Sequence, residues 1–225
     1  NSRGVAEDIA GILGMDPGRV PVVRNPVVTP ELPALAAAPC PLAWPQGPRR
    51  PRVVMAMGRL VHAKGFDVLL RAFAAVVREA DCRLVVLGEG RQRGALEALA
   101  RDLGVAARVD LPGFLENPYP CLARADLFVL SSHREGSPNA LTEALALGVP
   151  AVATDCPSGP REVLQDGRVG PLVPVADPER LAAAMVETLA APADPEVLRA
   201  SVAEYSRERA AAAYRRLIQE LVAGG

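Results

Sequence analysis

The stretch CRLVVLGEGRQRGALEALARDLG, residues 82–104, gives the clearest indication of the fold class of this chain. Residues 82–88 form a short run dominated by apolar residues, which predicts a strand buried on both faces. Residues 91–104 then place apolar side chains at helical spacing and end at a glycine, which predicts a helix. A buried strand followed by a helix is the repeating unit of a parallel α/β sheet.

The same alternation continues on both sides of this stretch. Strands are predicted over 52–58, 108–113, 126–132, 149–155 and 170–175, and helices over 66–80, 117–125, 140–148, 160–167 and 177–190. We therefore predict a Rossmann-like, doubly wound α/β fold, with a parallel sheet covered by helices on both faces. Ligands of such folds bind beyond the carboxyl ends of the strands, near the point where the strand order reverses.

The chain divides into four predicted parts. Residues 1–28, a short helix followed by a strand-like piece at 19–27, are interpreted as the remnant of a preceding N-terminal domain and a hinge. Residues 29–50 are rich in proline and alanine, lack steady periodicity and are interpreted as a linker. The Rossmann-like domain is predicted over 51–193, and C-terminal helices over 194–225.

Composition and charge exclude several classes of protein. The 225 residues carry a formal net charge of −1 without a basic stripe, so no nucleic-acid partner is expected. No apolar run is long enough to span a bilayer, so no transmembrane segment is predicted.

The four scattered cysteines predict reduced thiols in a cytoplasmic protein. With two histidines in the chain, a Cys/His zinc site is not expected.

Three of the loops that follow strands carry candidate site residues. The loop GRLVHAKG, 58–65, presents Arg59 and Lys64, which suit a diphosphate but could also be solvated surface cations. The loop GEGRQRG, 88–94, is close to the dinucleotide pattern G-x-G-x-x-G but has one residue too many, so an NAD site is weakly indicated. In the loop 112–117, Phe114 could stack on a base or belong to the core.

The loop and helix SSHREGSPNALTEAL, 131–145, carry the clearest chemistry. A helix beginning near Asn139 offers unpaired N–H groups and about half a positive charge, which suit a diphosphate. Glu143, about one turn inside, could accept hydrogen bonds from a ribose diol, or be a first-turn acid stabilised by the helix dipole. Glu135, before the turn, could face a sugar, or be a surface acid in a loop.

These segments resemble a known family. EGSPNALTE, 135–143, matches the E-x7-E motif of the retaining glycosyltransferases of the GT-B fold in family 4, also called group 1. GRLVHAKGFDVLLRAFA (58–74), residues 125–155 and residues 166–185 resemble other segments of that family in the same order. DCPSGPREVL, 155–164, is similar to a subset that builds bacterial surface polysaccharides and glycoconjugates. The chain resembles the C-terminal, donor-binding domain of such an enzyme.

The resemblance implies specific roles. Arg59, Lys64 and Glu135 would be the catalytic residues, with the two cations on the donor's diphosphate and Glu135 at the donor sugar. Glu143 would bind the ribose hydroxyls, and Phe114 and Leu115 would line the nucleobase. The implied substrate-binding set is Gly58, Arg59, Lys64, Phe114, Leu115, Glu135, Gly136, Ser137, Pro138, Asn139, Ala140, Leu141 and Glu143.

The implied reaction moves a hexosyl unit, with retention, from a nucleotide-sugar (a UDP-sugar before other bases) to a glycan or lipid-linked acceptor. The acceptor would bind through an N-terminal domain that this chain lacks. No cofactor and no metal are expected, in agreement with the missing Asp-x-Asp motif, because Arg59 and Lys64 can do the metal's electrostatic work. The expected location is cytoplasmic, with peripheral contact at the inner face of the membrane left open for the full-length protein.

Other interpretations stay open at this stage. The chain departs from the family pattern at His133-Arg134, where an aromatic residue is frequent, and at Ser137, where phenylalanine often stands. This chain alone is expected to be inactive, so a nucleotide-binding module without catalysis is one alternative. A related GT-B sugar epimerase is another, and an NAD-dependent dehydrogenase rests only on residues 88–94. An apolar face of the last helix, at Leu217, Ile218, Leu221 and Val222, is expected to lack its native cover.

Overall fold

The computed structural model describes residues 1–223. Its centre is a six-stranded parallel sheet with the strand order β3-β2-β1-β4-β5-β6. The strands are β1 (Arg52–Met57), β2 (Cys82–Leu87), β3 (Val109–Gly113), β4 (Leu127–Leu130), β5 (Ala151–Thr154) and β6 (Leu172–Val173). This is the strand order of a doubly wound fold, so the predicted Rossmann-like class is confirmed.

A helix lies between each two consecutive strands of the chain, and further helices precede β1 and follow β6. They are α1 (Arg3–Leu13), α2 (Leu32–Ala37), α3 (Phe66–Glu79), α4 (Arg93–Asp102), α5 (Tyr119–Leu122), α6 (Asn139–Ala146), α7 (Pro160–Val163), α8 (Pro178–Ala190), α9 (Pro195–Ser201) and α10 (Arg207–Ala223). The start of α1 is set by Ser2, whose hydroxyl accepts the Val5 N–H, and that of α8 by Asp177, whose carboxylate accepts the Arg180 N–H. Both caps satisfy N–H groups that a helix start leaves unpaired.

The sheet separates two apolar layers. Val54 and Ala56 of β1 face the layer that holds α3 and α8, whereas Val53 and Met55 face the layer that holds α6 and α9. The strands are therefore apolar on both faces, which is why their sequences read as continuous hydrophobic runs. The order reverses between β1 and β4, and the chain leaves both strands at the same edge of the sheet. That edge is where the fold rule directs the search for a ligand site.

The predicted strand at 19–27 is wrong. The chain there forms a 3₁₀ turn at Pro17–Arg19 and then runs without a strand partner. Pro21 and Pro26 have no backbone N–H to donate to a neighbouring strand. An isolated bridge joins Val28 to Ser206, with the Val28 N–H donating to the Tyr205 carbonyl at 3.0 Å.

The prediction that all four cysteines are reduced is also wrong. Cys40 and Cys121 form a disulfide with Cα atoms 5.2 Å apart, while Cys82 and Cys156 are free and buried. The pair meets because the proline- and alanine-rich segment lies against α5. The side-chain amide of Asn117, two residues before that helix, donates to the Leu35 carbonyl at 3.0 Å. The cysteines therefore give no support to a cytoplasmic location, which stays a prediction.

The segment 29–50 contains α2 and contributes Leu32 to the buried residues. Ile218, Leu221 and Val222 of α10 are exposed, as expected, while Leu217 is half-buried. Within residues 1–223, no helix combines the length and the apolar character that crossing a bilayer requires. The division into parts at residues 28, 50 and 193 stays a prediction.

Candidate active site

Two loops meet at the switch point of the sheet. The loop after β1, residues 58–65, ends at Gly65, and the loop after β4 begins with Ser131. A Cβ atom on Gly65 would lie 2.1 Å from the Ser131 carbonyl oxygen, and Gly65 has a φ of +60°. Only glycine permits both the left-handed conformation and this close approach. The Ser131 hydroxyl donates to the Lys64 carbonyl at 2.9 Å, which fixes one loop on the other.

The two histidines of the chain lie across the same contact. The rings of His62 and His133 stack with centroids 4.7 Å apart, and the His133 N–H donates to the Ala63 carbonyl at 2.9 Å. The loops after β1 and β4 are thus joined by a backbone hydrogen bond, a side-chain hydrogen bond and a ring stack.

The predicted catalytic residues Lys64 and Glu135 are in contact. Lys64 Nζ lies 2.6 Å from Glu135 Oε1, and the Ser132 hydroxyl donates to the same oxygen at 2.6 Å. The Glu135 side chain is 8% exposed and that of Lys64 is 25% exposed. A carboxylate so deeply buried needs a cation or several donors, and Lys64 and Ser132 supply them. Glu135 is therefore not a solvated surface acid, and Lys64 is not a solvated surface cation.

Arg59 stands apart from this pair. It is exposed, and within residues 1–223 its guanidinium has no hydrogen-bond or ion-pair partner. It lies on the wall of a cleft at the carboxyl edge of the sheet, which has a volume of about 460 Å³. The Arg59 guanidinium offers five N–H donors in a planar fork, and such a group, unengaged within residues 1–223, suits a phosphate.

The cleft collects most of the predicted nucleotide-binding residues. Its walls come from the ends of β1 and β2, the loop after β3, and the first turns of α6: Met57, Gly58, Arg59, Leu87, Gly88, Glu89, Phe114, Leu115, Pro118, Asn139, Ala140 and Glu143. Phe114 is 75% exposed, so the interpretation of this side chain as core is excluded. Lys64 borders the cleft, because a Cβ on Gly58 would lie 3.4 Å from the Lys64 Cδ and Cε atoms.

Glu143 is held by Tyr119. The Tyr119 hydroxyl donates to Glu143 Oε1 at 3.3 Å. Burial raises the pKa of the Glu143 carboxyl above its usual 4.5, and the hydrogen bond from Tyr119 opposes that rise. Burial and, to a smaller extent, the negative charge of Glu143 raise the pKa of Tyr119 to about 12, so the phenol stays protonated and remains a donor. Glu143 is the fifth residue of α6 and lies beyond its acid-free first turn, so the alternative of a first-turn acid is wrong.

The turn before α6 leaves backbone donors for a ligand. Pro138 occupies the N-cap position and provides no side-chain cap. Asn139 and Leu141 donate their N–H groups to Ser137 and Pro138 carbonyls, at 2.9 and 3.0 Å. Within residues 1–223, the N–H groups of Gly136, Ser137 and Ala140 have no acceptor. Three such groups at a helix start suit an anion.

The turn is supported from behind by the loop after β5. A Cβ on Gly159, which has a φ of +94°, would lie 2.5 Å from Pro138 Cδ and 3.2 Å from the Gly136 carbonyl oxygen. Leu141 points the other way, because its side chain is fully buried in the core. Leu141 therefore anchors α6 and does not line the cleft.

Within residues 88–94, Gly88 and Gly90 serve the packing of the protein itself. A Cβ on Gly88 would lie 2.0 Å from the Gly58 carbonyl oxygen, and one on Gly90 would lie 2.4 Å from the Leu60 carbonyl oxygen. The Leu60 N–H donates to the Glu89 carbonyl at 2.9 Å. These glycines let the loops after β1 and β2 approach each other, which accounts for the near-match to a dinucleotide pattern without NAD.

Sequence reasoning missed Tyr119, Ser131, Ser132 and Thr154 as members of the site. Thr154 donates to the Ser132 carbonyl at 2.6 Å. Ser131, Ser132 and Thr154 stand at the carboxyl ends of predicted strands, and the fold rule pointed to that edge. Tyr119 carried no such signal, because it meets Glu143 only through the packing of α5 on α6.

Comparison with known proteins agrees with the predicted family and fold. The family model described as glycosyl transferases group 1 matches residues 51–191. The lipopolysaccharide core biosynthesis glycosyltransferase LpsE of Rhizobium meliloti (strain 1021) is 41% identical over 138 residues, 61% of this chain and 39% of the relative. In Campylobacter jejuni, N-acetylgalactosamine-N,N'-diacetylbacillosaminyl-diphospho-undecaprenol 4-alpha-N-acetylgalactosaminyltransferase is 33% identical over 175 residues, 78% of this chain and 46% of the relative.

Among solved structures, Anabaena Alr3699/HepE in complex with UDP and glucose is similar, with a TM-score of 0.77 and 19% identity. The alignment covers 99% of this chain and 62% of that one. This likeness confirms the Rossmann-like fold expected of one half of a GT-B glycosyltransferase. The matched part of the chain spans about two fifths of the length of LpsE and somewhat less than half of the length of the Campylobacter relative. By its family model and its relatives, the chain belongs to the glycosyl transferases of group 1.

Proposed function

We propose that this chain is the donor-binding domain of a retaining glycosyltransferase that transfers a hexosyl unit from a UDP-sugar. The observation that carries the proposal is the pairing of Lys64 with a buried Glu135 beside a cleft that ends at Glu143. Lys64 pairs with one carboxylate, Glu135, and borders a cleft whose wall includes a second carboxylate, Glu143. The UDP and glucose present in the HepE complex support the choice of donor.

The cleft provides a place for each part of the donor. Leu115 and the exposed ring of Phe114 would hold the base, and Glu143 would accept hydrogen bonds from the ribose diol. The diphosphate would lie between Arg59, Lys64 and the free N–H groups at the start of α6. The hexose would then reach Glu135, whose Oε2 accepts no hydrogen bond from residues 1–223.

The residues of the chain account for leaving-group stabilisation. When the bond between the sugar and the diphosphate breaks, negative charge grows on the phosphate oxygens. Arg59, Lys64 and the unpaired N–H groups of Gly136 and Ser137 would stabilise that charge. We accordingly propose that transfer needs no metal ion. The group that receives the sugar would come from an acceptor held by a second domain.

The proposed acceptor is a glycan or a lipid-linked saccharide of a bacterial surface polysaccharide or glycoconjugate. This proposal rests on the relatives, of which one is named for lipopolysaccharide core synthesis and one acts on a diphospho-undecaprenol saccharide. Cytoplasmic location, with peripheral contact at the inner face of a membrane, belongs to the same proposal. A related sugar epimerase or a nucleotide-binding module without catalysis is the alternative.

Calorimetry with the chain tests the donor proposal. Titrations with UDP, UDP-glucose, GDP-mannose and ADP-glucose in the presence of EDTA should give saturable binding for the uridine nucleotides. Binding of UDP that appears only after addition of a divalent cation would contradict metal-independent recognition. Incubation of UDP-glucose with the chain alone should release at most a trace of glucose, whereas formation of a new UDP-sugar would favour the epimerase.

A further inference from the structure

The Ser131–Ser132 dipeptide lies at the centre of the contacts between the loop after β1 and the loop after β4. Both residues are 1% exposed, and both follow directly from the last residues of β4. Their two hydroxyls and two carbonyls have four different neighbours. The Ser131 carbonyl lies against Gly65, the Ser131 hydroxyl donates to the Lys64 carbonyl, the Ser132 hydroxyl donates to Glu135, and the Ser132 carbonyl accepts from Thr154.

The Ser132 hydroxyl determines which oxygen of Glu135 faces a ligand. Within residues 1–223, Oε1 of Glu135 accepts from both Lys64 and Ser132, at 2.6 Å each, while Oε2 has no hydrogen-bond partner. Lys64 alone would not fix the carboxylate plane, because an ammonium group is a point charge on a flexible stem. A second donor from a rigid, buried backbone position removes that freedom.

The Ser131 hydroxyl acts on the other member of the pair. It donates to the carbonyl of Lys64 itself, at 2.9 Å, and this residue ends the 3₁₀ turn His62–Lys64. Loss of this bond would free the segment that carries the phosphate-binding cation, while leaving the bond from Ser132 to Glu135 in place. The two hydroxyls therefore act on different parts of a nucleotide-sugar.

We propose that Ser131 and Ser132 are positioning residues that divide donor recognition, with Ser131 setting Lys64 for the diphosphate and Ser132 setting Glu135 for the sugar. This inference rests on the proposed function. It assigns discrimination between a nucleotide-sugar and a free nucleoside diphosphate to Ser132. Neither residue touches the donor, because each acts through the side chain or backbone that it holds.

The test measures dissociation constants for UDP and for UDP-glucose with the parent chain and three variants. Ser132→Ala should weaken UDP-glucose binding about tenfold, the effect of one hydrogen bond to a charged group, and leave UDP binding within twofold of the parent. Ser132→Thr keeps the hydroxyl and should restore the parent constants. Ser131→Ala should weaken both ligands by a similar factor, because both carry the diphosphate.

Thr188→Ala is the matched control. Its hydroxyl is buried and donates to the Ala184 carbonyl inside α8. Thr188 lies near the amino ends of β5 and β6, away from the cleft at the carboxyl ends of the strands, so the dissociation constants for UDP and UDP-glucose should match those of the parent. Equal weakening of UDP and UDP-glucose by Ser132→Ala, or no change in either, would overturn the division of roles while leaving the donor site itself intact. Failure of the parent chain to bind UDP would overturn the proposed function and this inference together.

Discussion

Lys64 and Glu135 form an ion pair of 2.6 Å between the two loops of the switch point, and the glutamate side chain is almost fully buried. Both members of the pair belong to the proposed donor site. A lysine that approaches a diphosphate keeps three N–H donors, so it can serve Glu135 and a phosphate together.

The first prediction concerns the stability of this pair. Lys64→Met should lower the free energy of unfolding by about 3 kcal/mol, because it leaves a buried carboxylate with one remaining donor, the Ser132 hydroxyl. The double variant Lys64→Met with Glu135→Gln should be more stable than Lys64→Met alone. Urea unfolding of the parent, Lys64→Met, Glu135→Gln and the double variant measures the coupling energy between the two side chains.

An exposed pair provides the control for that cycle. Arg209 and Glu204 are 3.4 Å apart and about two thirds exposed, so Arg209→Met should cost less than about 1 kcal/mol. If the changes in the free energy of unfolding of Lys64→Met and Glu135→Gln simply add in the double variant, the lysine does not compensate the buried charge.

The second prediction concerns the glycine behind the phosphate turn. Gly159→Ala should weaken UDP binding by about tenfold or more, because its Cβ would meet Pro138 at 2.5 Å and displace the turn. It should also cost about 1–3 kcal/mol of stability, through the clash and the positive φ. Calorimetry and urea unfolding give the two quantities.

Gly167→Ala is the control that separates the strain of a positive φ from the clash with Pro138. Gly167 has a φ of +87°, but its Cβ would lie 4.0 Å from the nearest atom, the Gly170 carbonyl oxygen. This variant should lose stability and keep UDP affinity. Equal losses of UDP affinity in the two variants would mean that Pro138 does not transmit the effect.

The site could be predicted only as far as its chemistry lies in short segments. Arg59 and Lys64 share one loop and Glu135 and Glu143 share another segment, so spacing and the strand-end rule located them. The partners that orient these residues come from elsewhere: Tyr119 stands 24 positions before Glu143. The disulfide was missed for the same reason, since Cys40 and Cys121 are 81 positions apart and meet only when the segment 29–50 packs on α5.

The third prediction follows from the raised pKa of Glu143. A carboxyl whose pKa is higher in the folded than in the unfolded chain binds its proton more tightly when folded. Its contribution to the free energy of unfolding therefore falls as the pH rises from 4.5 through the raised value. Glu143→Gln should remove that loss and be more stable than the parent at pH 7, with UDP binding about ten- to a hundredfold weaker.

Urea unfolding from pH 4 to 8 and calorimetry at pH 7 test this trade between stability and binding. Glu187→Gln, an exposed substitution on α8, is the control and should change neither quantity. Tight UDP binding by Glu143→Gln would exclude the proposed contact of Glu143 with the ribose.

The fourth prediction uses the exposure of Phe114. Phe114→Ala should leave stability within about 0.5 kcal/mol of the parent, because the ring has little contact with the protein. The same change should weaken UDP binding by about 1–3 kcal/mol if the ring stacks on the base. Ile12→Ala removes an apolar side chain that is 77% exposed on α1, and it should affect neither property. Unchanged UDP affinity in Phe114→Ala would place the base elsewhere.

The last prediction concerns the disulfide between Cys40 and Cys121. Its reduction should lower the free energy of unfolding by about 2–4 kcal/mol, because the bond closes a long loop and limits the unfolded chain. The double variant Cys40→Ser with Cys121→Ser should unfold at nearly the same urea concentration as the reduced parent, with or without dithiothreitol. A thiol titration of the unfolded, unreduced parent should find only Cys82 and Cys156, and four reactive thiols there would contradict the bond.

Reduction of the disulfide should also weaken UDP binding, because Cys121 and Tyr119 share α5 and Tyr119 donates a hydrogen bond to Glu143. An unchanged UDP affinity after reduction would show that α5 keeps its place without the bond.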